Sequence, residues 1–376
     1  MPARFANLMH NGRAMTHLSP QKLRVALVGL GIGRQHALAY RNMSDRFAIQ
    51  AVCGLDLENA KSAAAEFGAA HTLTRFEDVL ALPDIDVVDI CTPPHLHAPQ
   101  AEAALRAGRH VICEKPLALS LDVIDHLAQV ERESGKCLMP IFQYRFGGGV
   151  RKMKRILAAG LAGAPLIASV EIHWRRRASY YAAVPWRGRL ATELGGVLTS
   201  QAIHALDLLM EIVGPAKRLC AFTATRSNPV EIEDCAAISM EMASGALVTI
   251  SATLGSAVEI SRHRFVFEKL VAETNLRPYS NGDDPWVFTA DDAAAQPAID
   301  AAIAGDGESA RTDPQNAGGL KGIAPPAGFD AQLMRFHEAI TQGQPLPVSI
   351  SDARRATALL SAIYASAQTG QPVNVQ

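Results

Sequence analysis

The chain has 376 residues, of which 48% are hydrophobic and 19% charged, and its formal net charge at pH 7 is -1. This composition is typical of a globular protein with two or three domains. Mixed charges with almost no net excess do not favour binding to nucleic acid or to an anionic membrane. No apolar run in the chain reaches about 18 residues, so we expect no membrane span.

Residues 1–20 are predicted to form a disordered cytoplasmic leader. They carry Arg4 and Arg13 and no acidic residue, which is also a weak feature of a transit peptide, but they lack the apolar core of a secretory signal. The six cysteines form no CxxC pair, and several lie in apolar, strand-like runs. We therefore expect free thiols in a reducing, cytoplasmic compartment, with neither disulfides nor a zinc site.

Strand and helix patterns alternate from residue 21 to residue 142. Apolar strands are predicted over Leu23 to Val28, in FAIQAVCGLD, IDVVDICTPP and HVICEKP, and at 137–142, and the helices between them are predicted to end at Gly68, Gly108 and Gly135. Glycine is the usual residue just past a helix. This alternation predicts βαβ units, a mostly parallel sheet covered on both faces, and hence a Rossmann dinucleotide-binding domain over 21–142.

A glycine-rich turn follows the first predicted strand. Gly29, Gly31 and Gly33 lie between this strand and a helix, which is the context of a phosphate-binding loop. Glycine lets the backbone approach a pyrophosphate, and the helix start offers free N–H groups. We predict that these glycines and Ile32 contact a dinucleotide. The spacing is one residue shorter than the usual motif, and glycines at such turns are often only structural.

The acidic residue expected after the second strand, for the ribose hydroxyls, is displaced in this chain. Gly54 follows the strand directly, and Asp56 comes two residues later. Asp56 either binds the ribose, which we favour, or only begins the next helix. We expect NAD as the cofactor, with NADP as the alternative.

Long alternating strands replace this pattern after residue 145. Strands are predicted at 165–174, 234–242, 246–254 and 262–270, and one long helix, GGVLTSQAIHALDLLMEIVG, interrupts them. The pattern predicts a predominantly antiparallel sheet with helices on one face. Residues 143–350 are therefore assigned to a substrate and oligomerisation α/β domain.

The predicted C-terminal part has three segments. Residues 290–328 are expected to be an exposed excursion, followed by a helix at 329–342. A last helix after Ser351 and a strand, within 351–376, are expected near the domain junction. Strands such as 246–254 would expose an apolar patch on the uncovered face, so we expect a homodimer or homotetramer that associates through this sheet.

Two segments carry candidate catalytic residues. Glu114-Lys115-Pro116 directly follows the buried strand HVIC, and ligands bind at the carboxyl ends of parallel strands. A lysine whose pKa is lowered by partial burial can take a proton from a hydroxyl group. Ser200, His204 and Asp207 share one stripe of the long helix. A histidine there is more often a core residue, and Asp207 is expected to be its structural hydrogen-bond partner.

The chain from about residue 22 resembles the glucose–fructose oxidoreductase / inositol 2-dehydrogenase family. Its five matching blocks are VGLGIGRQHA, ICTPPHLHAPQA, VICEKPLA, QYRFGGGVRKMKRILAAGLAG and ELGGVLTSQAIHALDLL. The resemblance implies a Rossmann domain joined to an open-sheet α/β domain. It also implies NAD- or NADP-dependent oxidation or reduction of sugars, cyclitols and their derivatives.

The resemblance also assigns roles to residues. Lys115 matches the family's EKP lysine and His204 its catalytic histidine, and Ser200 stands where the family's dehydrogenases often carry aspartate. The resemblance also implies cofactor contacts for four residues: Glu114, Thr92, Pro93 and His97. It places Gln143 and Arg145 near the nicotinamide and the substrate.

We expect an NAD(P)-dependent dehydrogenase that acts on a secondary alcohol of a sugar, sugar acid or cyclitol. The segment 175–189 offers Tyr181, Trp186 and Arg187 as contacts for such a substrate. If several arginines of this segment face the pocket, an acidic sugar is favoured as the substrate. Otherwise these arginines belong to a solvated loop. Two alternatives stay open: a redox-neutral elimination or glycoside cleavage that uses NAD transiently, and a non-catalytic sugar or dinucleotide sensor. Neither a metal nor a nucleic-acid or membrane partner is expected.

Overall fold

A computed structural model describes residues 21–304 and 327–376. Within these residues the chain forms two sheets, one of six strands and one of eight. The predicted leader, 1–20, lies outside the described residues. All six cysteines are described, and they are free, as expected.

The first sheet is parallel throughout and forms the predicted Rossmann domain. Its strands are β1 Leu23–Val28, β2 Phe47–Cys53, β3 His71–Leu73, β4 Val87–Ile90, β5 His110–Cys113 and β6 Leu138–Pro140. Its helices are α1 Gly33–Asn42, α2 Leu57–Phe67, α3 Phe76–Ala81, α4 His97–Arg106 and α5 Leu121–Ser134. The strand order is β3-β2-β1-β4-β5-β6. Successive strands are thus added on one side of β1 up to β3 and on its other side from β4, and this switch opens a crevice between β1 and β4. The short β3 and α3 were not predicted.

The second sheet is mostly antiparallel, as predicted. Its strands are β7 Pro165–Arg175, β8 Ala216–Ala224, β9 Cys235–Met242, β10 Leu247–Thr253, β11 Gly255–Phe267, β12 Leu270–Glu273, β13 Val287–Ala290 and β14 Val373–Asn374. Their order is β13-β12-β11-β7-β10-β9-β8-β14, and β7 and β10 form a parallel pair.

The remaining helices lie against this sheet or join the two domains. They are α6 Gly148–Ala158, α7 Ala178–Ala182, α8 Leu190–Glu193, α9 Ile203–Val213, α10 Gln296–Ala304, α11 Gly328–Gln342 and α12 Ile350–Thr369. A π-helical turn, Leu198–Ala202, leads directly into α9. The segment Leu190–Val213 is long and apolar enough to cross a membrane, but 89% of its most apolar stretch is buried inside the protein. Burial in the core accounts for this composition.

The outer face of the second sheet differs from the prediction. In β10, Val248 and Ile250 point into the core, whereas Thr249 is exposed and Ser251 partly exposed on the other face. Alternation of this kind leaves polar side chains on the open face. The prediction that strand 246–254 exposes a large apolar patch is therefore wrong for most of this strand, although Leu247 is 58% exposed.

The C-terminal third also departs from the expected layout. Part of the predicted exposed excursion, 290–328, is helical, because α10 lies within it and buries Ile299; 305–326 lie outside the described residues. Helix α11 packs on α1 of the Rossmann domain, where the Phe329 and His36 rings lie 4.6 Å apart. Helix α12 contacts both α5 and β8, so the end of the chain lies at the domain junction, where it was expected.

Candidate active site

The glycine turn after β1 has the geometry of a phosphate cradle. Gly29 has φ 96°, and a Cβ atom there would lie 2.5 Å from the Cys91 carbonyl oxygen, so only glycine fits. A Cβ atom on Gly31 would meet no described atom within 4 Å, whereas Gly33 packs closely on Leu27. Ile32 is 43% exposed, and no described side chain caps the start of α1. The open space and free helix N-terminus fit a pyrophosphate.

Asp56 begins helix α2, which is one of the two roles that the sequence left open. Its Oδ1 accepts a hydrogen bond from the backbone N–H of Asn59 at 2.8 Å and caps α2. Oδ2 has no partner among the described residues, so a ribose contact by Asp56 stays a prediction.

The turns after β4 and β5 are joined by a buried histidine. The ring nitrogens of His97 lie 2.7 Å from the carbonyl oxygens of Pro116 and Thr92, and the residue is 1% exposed. His97 therefore supports both turns, and it has no free ring nitrogen for the cofactor contact that was expected. Thr92 and Pro93 remain partly exposed at the crevice.

A buried charge network that the sequence analysis missed lies beneath Glu114. His36 places Nδ1 2.9 Å from Asp89 and Nε2 3.2 Å from Glu114, and the Tyr40 hydroxyl donates to Asp89 at 2.8 Å. Burial lowers the pKa of His36, but Asp89 and Cys91 together outweigh it and raise this pKa well above its ordinary value. Burial raises the pKa of Glu114, but His36 and Lys115 lower it to about 2. An imidazolium thus joins two carboxylates.

The same histidine belongs to a cluster with metal-ligand spacing. Ligand atoms of His36, Asp89 and Cys91 all lie within 4.8 Å of one another. A protonated imidazole has no lone pair to offer a metal ion. We therefore interpret the cluster as an ion pair with a neighbouring thiol.

Lys115 contacts the helical segment that carries His204, although the two residues are far apart in the chain. Lys115 precedes a cis peptide bond to Pro116, and its Nζ donates to the Ser200 carbonyl oxygen at 2.6 Å. Burial lowers the pKa of Lys115. Burial and the Lys115 charge lower the pKa of His204 to about 3, so its ring is neutral at pH 7. Nδ1 of His204 has no partner among the described residues.

Arg145 serves a structural role that differs from the expected one. Its Nε and Nη2 donate to both carboxylate oxygens of Asp207 at 2.7 and 2.5 Å, and its Nη1 lies 3.1 Å from Asp352 and 3.3 Å from Glu211. The expected pairing of Asp207 with His204 is wrong, because Arg145 occupies both oxygens. Arg145 therefore joins the start of the second domain to α9 and α12, and the expected contact with the nicotinamide and the substrate stays a prediction.

The expected substrate residues of 175–189 form an aromatic and cationic group. The Arg187 guanidinium lies 4.1 Å from the Tyr180 ring centroid and 4.5 Å from that of Trp186, and it bonds to the Tyr180 hydroxyl. Gln201 Nε2 donates to the same hydroxyl at 3.4 Å. The sequence analysis missed Tyr180 and Gln201, because no spacing rule connects them to Lys115. Tyr181 is buried beside them.

Several buried polar atoms around this site have no partner among the described residues. They are Gln143 Oε1, Tyr181 Oη, Gln201 Oε1 and His204 Nδ1. Buried polar groups are almost always hydrogen-bonded, so atoms left without a partner indicate where a ligand or water binds. A phosphate cradle beside a lysine with a lowered pKa and these polar atoms defines a dinucleotide-dependent oxidoreductase of hydroxyl-bearing compounds.

Comparison with known families agrees with this class. The model of the oxidoreductase family with an NAD-binding Rossmann fold matches residues 23–142. The model of the GFO/IDH/MocA C-terminal domain matches residues 150–269. The chain belongs to the GFO/IDH/MocA oxidoreductase family. This confirms the resemblance, the two-domain fold, the assignment as a dehydrogenase and NAD as the cofactor.

Individual relatives are similar over different parts of the chain. An uncharacterized oxidoreductase, sll0816, of Synechocystis is 30% identical over 61% of this chain and 65% of its own length. Levoglucosan dehydrogenase of Pseudarthrobacter phenanthrenivorans is 28% identical over 62% of this chain and 68% of its own. The crystal structure of WlbA dehydrogenase from Bordetella pertussis, in complex with NADH and UDP-GlcNAcA, has a TM-score of 0.80 and 25% identity, covering 95% of this chain and 99% of that one.

Proposed function

We propose that the protein transfers a hydride between a secondary alcohol of a sugar, sugar acid or cyclitol and NAD, with Lys115 as the general base. The observation that carries this proposal is the bond from Lys115 Nζ to the Ser200 carbonyl, 85 positions away, one helical turn before His204. Unpartnered polar atoms on Gln201 and His204 support a substrate that carries several hydroxyl groups.

The chemistry follows from the two pKa shifts. Bound NAD supplies the hydride acceptor. Burial lowers the pKa of Lys115, which increases its neutral fraction, and neutral Nζ takes the hydroxyl proton as the carbon loses its hydride and becomes a carbonyl carbon. His204, with a pKa of about 3, cannot hold that proton at pH 7, so it orients the hydroxyl by hydrogen bonding. In the reverse reaction the Lys115 ammonium returns the proton.

An open surface depression that includes Tyr180 favours an acidic sugar as the substrate class in this proposal. It has a volume of about 440 Å³ and is lined by residues 175–177, Ser179 and Tyr180. The three residues 175–177 are arginines, and Tyr180 also contacts Arg187 and Gln201. Guanidinium groups bind carboxylates and phosphates strongly.

The test combines a substrate panel with two variants of Lys115. Neutral sugars, sugar acids and cyclitols are supplied with NAD, and NADH formation is followed by absorbance. Lys115→Met is expected to reduce kcat by about 10²–10⁴-fold, the usual effect of losing a general base. Lys115→Arg is expected to be equally impaired, because arginine keeps the charge but cannot give up a proton.

NADH binding, measured by fluorescence titration, should be retained in both variants. Full turnover by Lys115→Met would contradict the proposal. Product formed with no net NADH would favour the redox-neutral alternative, and dinucleotide binding without turnover of any panel member would favour a sensor.

A further inference from the structure

Glu193 is a buried carboxylate at the end of α8. It is 1% exposed, and the next residue, Leu194, has a left-handed φ of 68°. This backbone conformation is costly for leucine, and such strain concentrates at functional sites. A buried carboxylate is also costly unless its oxygens are well bonded, so the partners of Glu193 indicate what it does.

The carboxylate is bonded mainly by neutral donors. Oε2 accepts the Gly188 backbone N–H at 2.6 Å, and Oε1 accepts the Ser200 hydroxyl at 2.8 Å. Arg187 Nη1 is 3.9 Å from Oε1, but its guanidinium also stacks on Trp186 and Tyr180. Glu193 therefore keeps much of its negative field at the active site.

Ser200 connects this carboxylate to the base. Its hydroxyl donates to Glu193, while its carbonyl oxygen accepts the bond from Lys115 Nζ at 2.6 Å. Both contacts lie in the π-helical turn Leu198–Ala202, a feature that is frequent at functional sites. Burial lowers the pKa of Lys115, with a further lowering by Arg187; Glu114 and Glu193 oppose this shift.

We infer that Glu193, held by Ser200, raises the proton affinity of Lys115. It provides from α8 the carboxylate that the resemblance places at position 200, where this chain has serine. Glu193 is a positioning residue, because it contacts Ser200 and Gly188 and not the reacting atoms. The inference rests on the proposed role of Lys115 as base.

The test removes the charge and keeps the shape of the side chain. In Glu193→Gln the amide oxygen can still accept the Gly188 N–H and the amide nitrogen can donate to the Ser200 hydroxyl oxygen, but the Lys115 ammonium loses a stabilising anion. The pKa of Lys115 should therefore fall by roughly half to one unit. The acidic limb of the kcat profile should move to lower pH by the same amount, with the Kd for NADH unchanged.

A second readout titrates Lys115 without turnover. The pH dependence of Lys115 labelling by an amine-reactive reagent, quantified by mass spectrometry in the cofactor-free protein, should show the same shift. This separates the two proposals, because labelling reports the coupling even if no panel substrate is oxidised. The contributions of Glu114, Arg187 and His204, which also act on Lys115, are unchanged between the proteins compared.

The matched control is Glu231→Gln. Glu231 is exposed, lies outside α8 and accepts the backbone N–H of Leu190, at the start of α8, at 3.0 Å. Glu231→Gln therefore removes the same charge from a residue bonded to this helix, and the labelling midpoint should not move. Adding Ser200→Asp to Glu193→Gln should return the midpoint towards the wild-type value. If Glu193→Gln does not fold, Ser200→Ala, which removes the hydroxyl link, should shift the midpoint in the same direction.

A Lys115 midpoint in Glu193→Gln equal to that of the wild type would overturn the inference. An equal shift in Glu231→Gln would overturn it as well, because the effect would then be one of net charge.

Discussion

Glu114 is held as a carboxylate inside the protein by the cations around it. The imidazolium of His36 lies on one side at 3.2 Å, and the Lys115 ammonium follows it in the chain. Together they reverse the effect of burial and lower its pKa from 4.5 to about 2. At this scale, the site is a set of charges whose protonation depends on neighbours from other strands and helices.

This shift predicts an acid-dependent contribution to stability. Because the folded-state pKa is depressed, the ionised Glu114 stabilises the fold above pH 4.5, and this stabilisation is lost as the pH falls towards about 2. Glu114→Gln should therefore lower the unfolding free energy near pH 7, on the order of 2–3 kcal/mol. The difference from wild type should shrink steadily as the pH falls from 4.5 to about 2 in urea titrations. A difference independent of pH would contradict the assigned ion pair.

Two glycines of the turn before α1 differ in whether the fold itself requires glycine. Gly29 is required by the fold, because its φ is 96° and the Cys91 carbonyl lies where a side chain would be. At Gly31 the space next to the backbone is open. No described protein atom requires glycine at position 31, and the predicted contact with the dinucleotide would explain it.

Substitutions at these two glycines should separate folding from cofactor binding. Gly31→Leu should fold with a wild-type melting temperature but lose the increase in melting temperature that NADH causes by mass action. Gly29→Ala should lower the melting temperature itself, because the methyl group would overlap Cys91. Thermal melts with and without NADH measure both effects. A normal NADH response in Gly31→Leu would show that the phosphates bind elsewhere.

At the scale of the whole molecule, the C-terminal helices connect the second domain to the Rossmann domain. Helix α11 packs on α1, and α12 packs between α5 and the second sheet. The opposite face of that sheet is open and mostly polar. At one end, however, an apolar row crosses four strands in register: Leu247, Ile167, Val266 and Val271.

We propose that a second copy of the chain covers this row, which keeps the expected homodimer or homotetramer as a prediction. Leu247→Asp combined with Ile167→Asp should dissociate the oligomer into monomers with folded secondary structure. Light scattering coupled to size-exclusion chromatography measures the mass. Leu55→Asp is the control, because Leu55 is 98% exposed on the Rossmann domain. A monomeric wild-type protein would contradict the proposal.

The sequence by itself determined the features that depend on nearby residues. Periodicity and glycine positions predicted the alternating first domain, its phosphate turn and the long strands of the second domain, because backbone hydrogen bonding and side-chain alternation are local properties. The position of Lys115 after a buried strand predicted its place at the ligand edge of the sheet, since parallel strands end on the same side.

Only the tertiary structure decided which side chains face each other. Asp207 pairs with Arg145 instead of His204, and the carboxylate next to Ser200 comes from Glu193, because such contacts depend on how helices pack and not on spacing along one helix. Burial then set the pKa values of Lys115 and His204. Desolvation and the field of neighbouring charges exist only once distant segments enclose the site.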